Sequence, residues 1–379
     1  MSRECWNVWE DRGFLLNPDP PLSIADAINF PPIVDLESLA TELPHLLETH
    51  TVRKTLDALP TYDLAPLHLE SLDGHIVERL MQIYSYFASA YVYAVPDDTA
   101  HCIPAGIAVP LVQLAHRVER PPILSYSNYV LNNWQRIDSP GAITVDNLRL
   151  TQTFLGNKDE AWFVLIHVDI EARAADALQA VQAAMDAVDV NDETSLENAL
   201  ERTHRSINSM ITTFHRMPEG CDPNVYYYAV RPYIFGFDDM IYEGVAEYRG
   251  KPQSFRGQTG AQSSIVPTLV AALGLEHEQT GLTEHLRVMK QYMPKPHREF
   301  MEKMSRADIR PYVLDHAHNP ALVEAYNECL RKVTEFRSLH YHFATEYIFK
   351  KVASPVGTGG TIFMDWLKQL IEETEQQLV

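Results

Sequence analysis

The chain has 379 residues, and its 31 Lys and Arg against 51 Asp and Glu give a formal net charge of −20, which disfavours nucleic acid or an anionic membrane as partner. A hydrophobic share of 46% with 22% charged residues fits a globular chain able to bury a full core, as one large domain with a smaller one or as two domains. Cys5, Cys102, Cys221 and Cys329 are scattered without a CxxC pair, so they give no sign of a zinc ribbon or disulfide framework and fit a reducing, cytoplasmic setting.

In chain order, the opening MSRECWNVWEDRG lacks the apolar core of a signal peptide, and no uncharged apolar run approaches the ~18 residues of a membrane span. Residues 1–70 alternate proline-rich and acidic stretches, which predict short helices joined by extended segments. Gly74–Val95 and Gly106–Val118 predict helices with wide apolar faces, the second broken by Arg120-Pro121-Pro122. In PPILSYSNYVLNNW, Tyr126, Tyr129 and Val130 are three and four apart and so share one helical face, a pattern that serves a core as readily as a pocket.

Gly141–Gly156 alternates and turns, which places a boundary near residue 148, and beyond it nearly everything reads as helical. Glu160–Glu171 carries His167 one turn after Phe163, and an alanine-rich helix follows. Ser195 is the expected cap of a helix through Phe214 that turns Leu196, Ala199, Leu200, Thr203, Ile207, Met210 and Phe214 inward. In DPNVYYYAVRPYIFGF, Tyr226, Tyr227, Tyr228, Tyr233, Phe235 and Phe237 surround Arg231, and Pro232 stops the helix. A buried arginine requires an anionic partner, either an internal carboxylate or that of a ligand. FRGQTGAQSS, at 255–264, is a glycine-containing loop entering a helix; it lacks the Gly-Lys-Ser/Thr ending of a phosphate-binding loop.

Asn319 and Pro320 open the most regular stretch. Leu322, Tyr326, Cys329, Val333, Phe336, His340, Phe343 and Tyr347 recur four and three apart, so His340 points inward, while His342 lies roughly 200° further round and faces elsewhere. An inward histidine is either a core residue satisfied by neighbours or an axial metal or haem ligand. Arg337, one turn earlier, adds a fork able to bind a haem propionate. A glycine-threonine loop, GTGGT at 357–361, follows. No HExxH, GxSxG or paired-carboxylate signature occurs, which assigns the chemistry to a cofactor.

Four segments, PPILSYSNYVLNNW, the YYYAVRPYIFGF block, FRGQTGAQSS with YMPKPHREF, and FRSLHYHF with GTGGT, together resemble the indoleamine 2,3-dioxygenase family, in the family's order and with similar spacing across residues 121–361. The resemblance implies a mainly α fold. Residues 1–148 would form a small N-terminal, mostly helical domain contributing to an indole pocket, and residues 149–379 a large all-helical haem-binding catalytic domain. It implies haem b, O2 as co-substrate, and conversion of L-tryptophan to N-formylkynurenine, the first step of the kynurenine pathway, by a monomer. The alternatives are a haem oxygenase acting on another or modified indole, and a non-catalytic haem protein that binds a diatomic gas.

Residue by residue, the resemblance makes His340 the proximal iron ligand, Arg337 the propionate-binding arginine, and Phe343 and Gly260 neighbours of the haem. Arg231 would bind the substrate carboxylate. Tyr126, Tyr129, Val130, Phe163, Tyr226, Tyr227, Thr259, Gly260 and Thr358 would line the substrate site, with Thr358 on a mobile loop. His167 aligns with a distal serine of the family, Tyr129 stands where vertebrate relatives have a small residue, and Tyr226 and Tyr227 stand where phenylalanines are common. The implied pocket is therefore more polar than the mammalian pattern.

Overall fold

The structure, a computed structural model, describes residues 6–16, 31–64, 69, 72–351 and 364–379. Helices of six or more residues are numbered in chain order: α1 Pro31–Glu48, α2 Val52–Asp57, α3 Gly74–Val92, α4 Ala105–Val118, α5 Lys158–Arg173, α6 Ala175–Asp189, α7 Glu193–Phe214, α8 Ile265–Ala272, α9 Gly281–Lys290, α10 Lys295–Met304, α11 Ile309–Asp315, α12 Pro320–Tyr347 and α13 Met364–Glu375. The fold is mainly α, as expected. Among the described residues no helix is long and apolar enough to cross a membrane.

Helix α12 begins where its cap predicts: Asn319 accepts from Ala321 N–H at 3.1 Å and Leu322 N–H at 3.2 Å. Its inward stripe packs on α7, which lies between α12 and α6 and makes its most extensive contacts with those two helices. The cap of α7 is Asp192, not Ser195: the helix starts three residues earlier than expected, so Ser195 N–H is one of the unpaired first-turn donors and Asp192 accepts it at 3.0 Å. Helix α5 is pinned at its start in the same way. Asn157 accepts from Glu160 N–H at 2.9 Å, and the fully buried Glu160 turns back to accept from Phe154 N–H and Leu155 N–H, both at 2.8 Å, and from the Thr153 hydroxyl.

A small sheet departs from the all-helical reading of the second half. Strand β1, Cys102–Ile103, runs parallel to a strand at Phe237–Tyr242, which pairs antiparallel with one at Gln253–Phe255; Gln135–Arg136 and Leu148–Arg149 form a separate antiparallel pair. Glycine permits the sheet's crowded start, because a Cβ on Gly257 would sit 2.4 Å from the Ile234 carbonyl oxygen and one on Gly236 2.6 Å from that of Phe255. The sheet thereby carries the 256–264 loop alongside the Arg231 segment.

The N-terminal segment seals one side. Leu16 N–H donates to the Leu131 carbonyl at 3.1 Å, and Gly13, at φ +59°, lies so close to α5 that a Cβ would meet the Glu171 carbonyl oxygen at 2.8 Å. Residues on both sides of the expected boundary near 148 contribute to one core cluster, from Val8 to Tyr347. Within it, the Phe14 ring rests 4.3 Å from the ring of His297, on α10.

His297 is fully enclosed, neither ring nitrogen meets a partner among the described residues, and burial, with Arg120 adding to it, pushes its pKa down to about 3. An unfolded chain takes up this proton near pH 6.5, whereas the folded one resists to about 3, so stability is fully present above pH ~7 and falls as pH drops through that window. In urea titrations His297→Leu should flatten the acid side of the stability profile by up to about 1.4 kcal/mol per pH unit between pH 6 and 4; an unaltered slope would contradict this.

Candidate functional site

The inward stripe of α12 brings His340 to the centre of the helical layer, while His342 is exposed. Phe214 on α7 lies at its side, with ring centroids 6.4 Å apart, and Phe336 and Phe343 pack on the same phenylalanine at 5.4 and 4.9 Å. Burial pushes the His340 pKa down to about 4, with nearby His167 adding to the shift, so the ring is neutral at physiological pH. The same ring retains accessible surface although protein surrounds it, and so do His167, Phe163 and Phe336. We infer from the surface left on these two enclosed imidazoles a hollow between α12 and α5.

Helix α5 supplies the facing wall. Phe163, His167 and Glu171 are four apart and therefore stack on one face. The His167 ring lies 4.7 Å from Phe163, 6.2 Å from Phe214 and 6.3 Å, edge-on, from Tyr126. His167 Nδ1 is 2.7 Å from the Phe163 carbonyl oxygen, which can only accept, so Nδ1 carries the hydrogen. Burial lowers the His167 pKa and keeps the ring neutral. Nε2 is consequently a lone-pair acceptor.

The remaining walls come from irregular helix. Ser127–Leu131 and Tyr226–Val230 are both π-helical turns, widened relative to the α-helix that the spacing suggested. Tyr226 packs on Phe163 at 4.4 Å and on Tyr347 of α12 at 5.8 Å. Arg231, 3% exposed, sits under the rings of Phe235 at 4.6 Å and Tyr227 at 5.1 Å, and burial lowers its pKa. Thr259 is extended and accepts from Ala261 N–H, while a Cβ added to Gly260 would meet nothing within 4 Å.

Three expected site residues, Tyr129, Val130 and Arg337, are packed inside the protein. Tyr129 is fully enclosed, with its ring 6.1 Å from Tyr86 and 6.5 Å from Phe154, and Val130 is also fully enclosed; they back the wall rather than face the hollow. The wider π turn rotates them away from the direction an α-helix gives. Arg337 is buried: it donates to the Leu370 carbonyl at 2.8 Å and to the Thr374 hydroxyl, and its other terminal nitrogen lies 3.3 Å from His277 Nε2. One terminal nitrogen is thus held by the carbonyl and hydroxyl of α13, and the other faces His277. Thr358 and its GTGGT loop lie outside the described residues. Glu171, Gln262 and Ser263 join these walls without a sequence motif that marks them; for Glu171 the sequence signal is its place one turn after His167.

The donor set fits haem. Among the described residues no three His, Cys, Asp or Glu side chains converge as a metal-chelating group. A single neutral imidazole cannot hold a bare ion but suits an iron already held by a macrocycle. The hollow beside His340 is walled by Phe214, Phe336 and Phe343, as a flat apolar ring requires.

Comparison with known proteins agrees with the geometry. The indoleamine 2,3-dioxygenase family profile matches residues 2–355. The mouse protein indoleamine 2,3-dioxygenase 1 is 32% identical over 98% of this chain and 95% of its own length. Indoleamine 2,3-dioxygenase of Saccharomyces cerevisiae is 31% identical over 89% of this chain and 86% of its own. Indoleamine 2,3-dioxygenase nanC of Aspergillus nanangensis is 26% identical over 99% and 96%.

His340→Ala should leave the protein folded but unable to retain haem on gel filtration, or should shift its absorption spectrum to an unligated form. Full haem content with an unchanged Soret band would show that another group holds the iron.

Proposed function

We propose, on the premise that the chain belongs to the indoleamine 2,3-dioxygenase family, that its substrate is L-tryptophan and its product N-formylkynurenine. Membership makes it an oxidoreductase, a haem-dependent dioxygenase of the indoleamine 2,3-dioxygenase type. Both atoms of O2 enter the product as the indole C2–C3 bond opens, so the reaction needs no reductant per turnover and no strong protein base. This reading assigns the chain to the first step of the kynurenine pathway.

Bound haem supplies the iron at which O2 is activated. His340 would hold it as a neutral imidazole, with Phe343 and Phe336 on the same helix face. Phe214, Phe163 and Tyr226 give apolar walls that exclude water and fix the indole plane. The observation that carries the substrate assignment is Arg231, a cation buried among tyrosine and phenylalanine rings at the edge of this wall, which fits an amino-acid carboxylate. His167 Nε2, left as an acceptor by the Phe163 carbonyl, takes the hydrogen bond of the indole N–H. The role is orientation: Nε2 cannot donate to oxygen in this tautomer. Thr259 and Gly260 stand on the neighbouring loop.

Two substitutions test these assignments. Arg231→Leu should keep its haem and lose kcat/KM by roughly 30- to 150-fold, the equivalent of about 2–3 kcal/mol for a charge-assisted pair; parent-like turnover would make the arginine an internal partner only. His167→Ala should slow tryptophan turnover by roughly 2- to 13-fold, the worth of one hydrogen bond. The same change should affect 1-methyltryptophan, which has no indole N–H, much less. An equal fractional loss on both substrates would mean that His167 does not accept from the indole.

A further inference from the structure

We propose that Glu171 is a positioning residue of the indole pocket: one oxygen of its carboxyl takes the hydroxyl hydrogens of both Tyr126 and Ser263, fixing walls from two distant parts of the chain to the helix that carries His167. Tyr126 Oη lies 3.0 Å and Ser263 Oγ 2.7 Å from Glu171 Oε1. Tyr126 belongs to the turn before the Ser127–Leu131 π-helix, and Ser263 ends the loop that contains Thr259 and Gly260. The three elements therefore meet at a single atom. The inference rests on the hollow being the indole site.

The arrangement is more than packing. Glu171 is fully buried, and burial raises its pKa to about 7 even though two hydroxyls donate to it. An apolar side chain of the same length would fill the space without that desolvation cost, so the carboxyl is retained for what it accepts. Tyr126 is itself 2% exposed, and its ring meets the edge of His167 at 6.3 Å; a tyrosine released from Glu171 would shift the very imidazole that orients the substrate. A second tie supports the first, since Gln262 accepts from Tyr126 N–H at 2.9 Å and donates to the Gly257 carbonyl at 2.9 Å. Gln262 holds the backbones together, and Glu171 sets the tyrosine ring.

The bond chemistry separates an acceptor from a charge. With a proton on Oε2 or without one, Oε1 still accepts both hydroxyls, and the amide oxygen of glutamine can do the same. Glu171→Gln should therefore bind L-tryptophan within about threefold of the parent, read from the Soret shift of the haem-loaded protein. Glu171→Leu, Tyr126→Phe and Ser263→Ala should each weaken binding, the last two by roughly five- to tenfold, as expected for loss of one such hydrogen bond, and Glu171→Leu, which loses both, by at least as much as the larger of them. The Tyr126→Phe/Glu171→Leu double variant should bind no worse than Glu171→Leu alone, because that change already removes the tyrosine's bond. A second readout uses no indole: the C–O stretch of the ferrous carbonyl complex should stay narrow in Glu171→Gln and broaden in Glu171→Leu. Parent-like Glu171→Leu, a Glu171→Gln as impaired as Glu171→Leu, or additive effects in the double variant would each overturn the proposal. Should Glu171→Leu fail to fold, unchanged binding in both Tyr126→Phe and Ser263→Ala would overturn it equally. If the parent protein itself fails to bind tryptophan, the substrate reading falls, while the carbonyl stretch still decides whether Glu171 orders the pocket.

Discussion

Taking an imidazolium out of water costs far more than taking out an imidazole, and this difference keeps His340 and His167 uncharged in the interior. Neutrality gives each ring a lone pair. In the proposed function the lone pair of His340 would serve an iron, and that of His167, where the Phe163 carbonyl fixes the hydrogen on Nδ1, a donor on the substrate. Phe214 stands beside both rings, at 6.4 and 6.2 Å, so the helix that carries it also spaces the two functional walls. Packing of α7 against α6 and α12 is thus what sets the width of the site.

Around these two rings the polar groups are few and specifically placed. Arg231 has aromatic faces above it, Glu171 receives two hydroxyls, and Gln262 joins two backbones. Such a site carries out chemistry by exclusion and orientation, leaving the reactive electrons to the cofactor. Arg337 contributes at a distance: by donating to groups of α13, it fastens the final helix to the one that carries His340.

The helical framework was legible because its apolar residues recur at the period of a helix. All eight stripe positions of α12 lie inward, and each inward position named for α7 is buried. His340 could be placed on that basis, and Arg231 by its isolation among tyrosines. What sequence spacing could not reveal were the two π turns, since their extra residue leaves the pattern of apolar residues almost unchanged while rotating Tyr129 into the aromatic stack with Tyr86 and Phe154. Partners far along the chain were hidden as well: Glu171 meets residues 45 positions before and 92 after it, and Arg337 meets a hydroxyl 37 residues on. Local periodicity carries no information about such pairings. The short strands escaped for a related reason, because pairing of Cys102–Ile103 with Ile241–Tyr242 is a tertiary event.

The most direct test of the account is to supply the haem-loaded, reduced protein with L-tryptophan under ¹⁸O2 and weigh the product by mass spectrometry. The account predicts N-formylkynurenine with both added oxygens labelled, each from the same dioxygen molecule. Absence of that product, or a product with one labelled oxygen and the other from water, would contradict it.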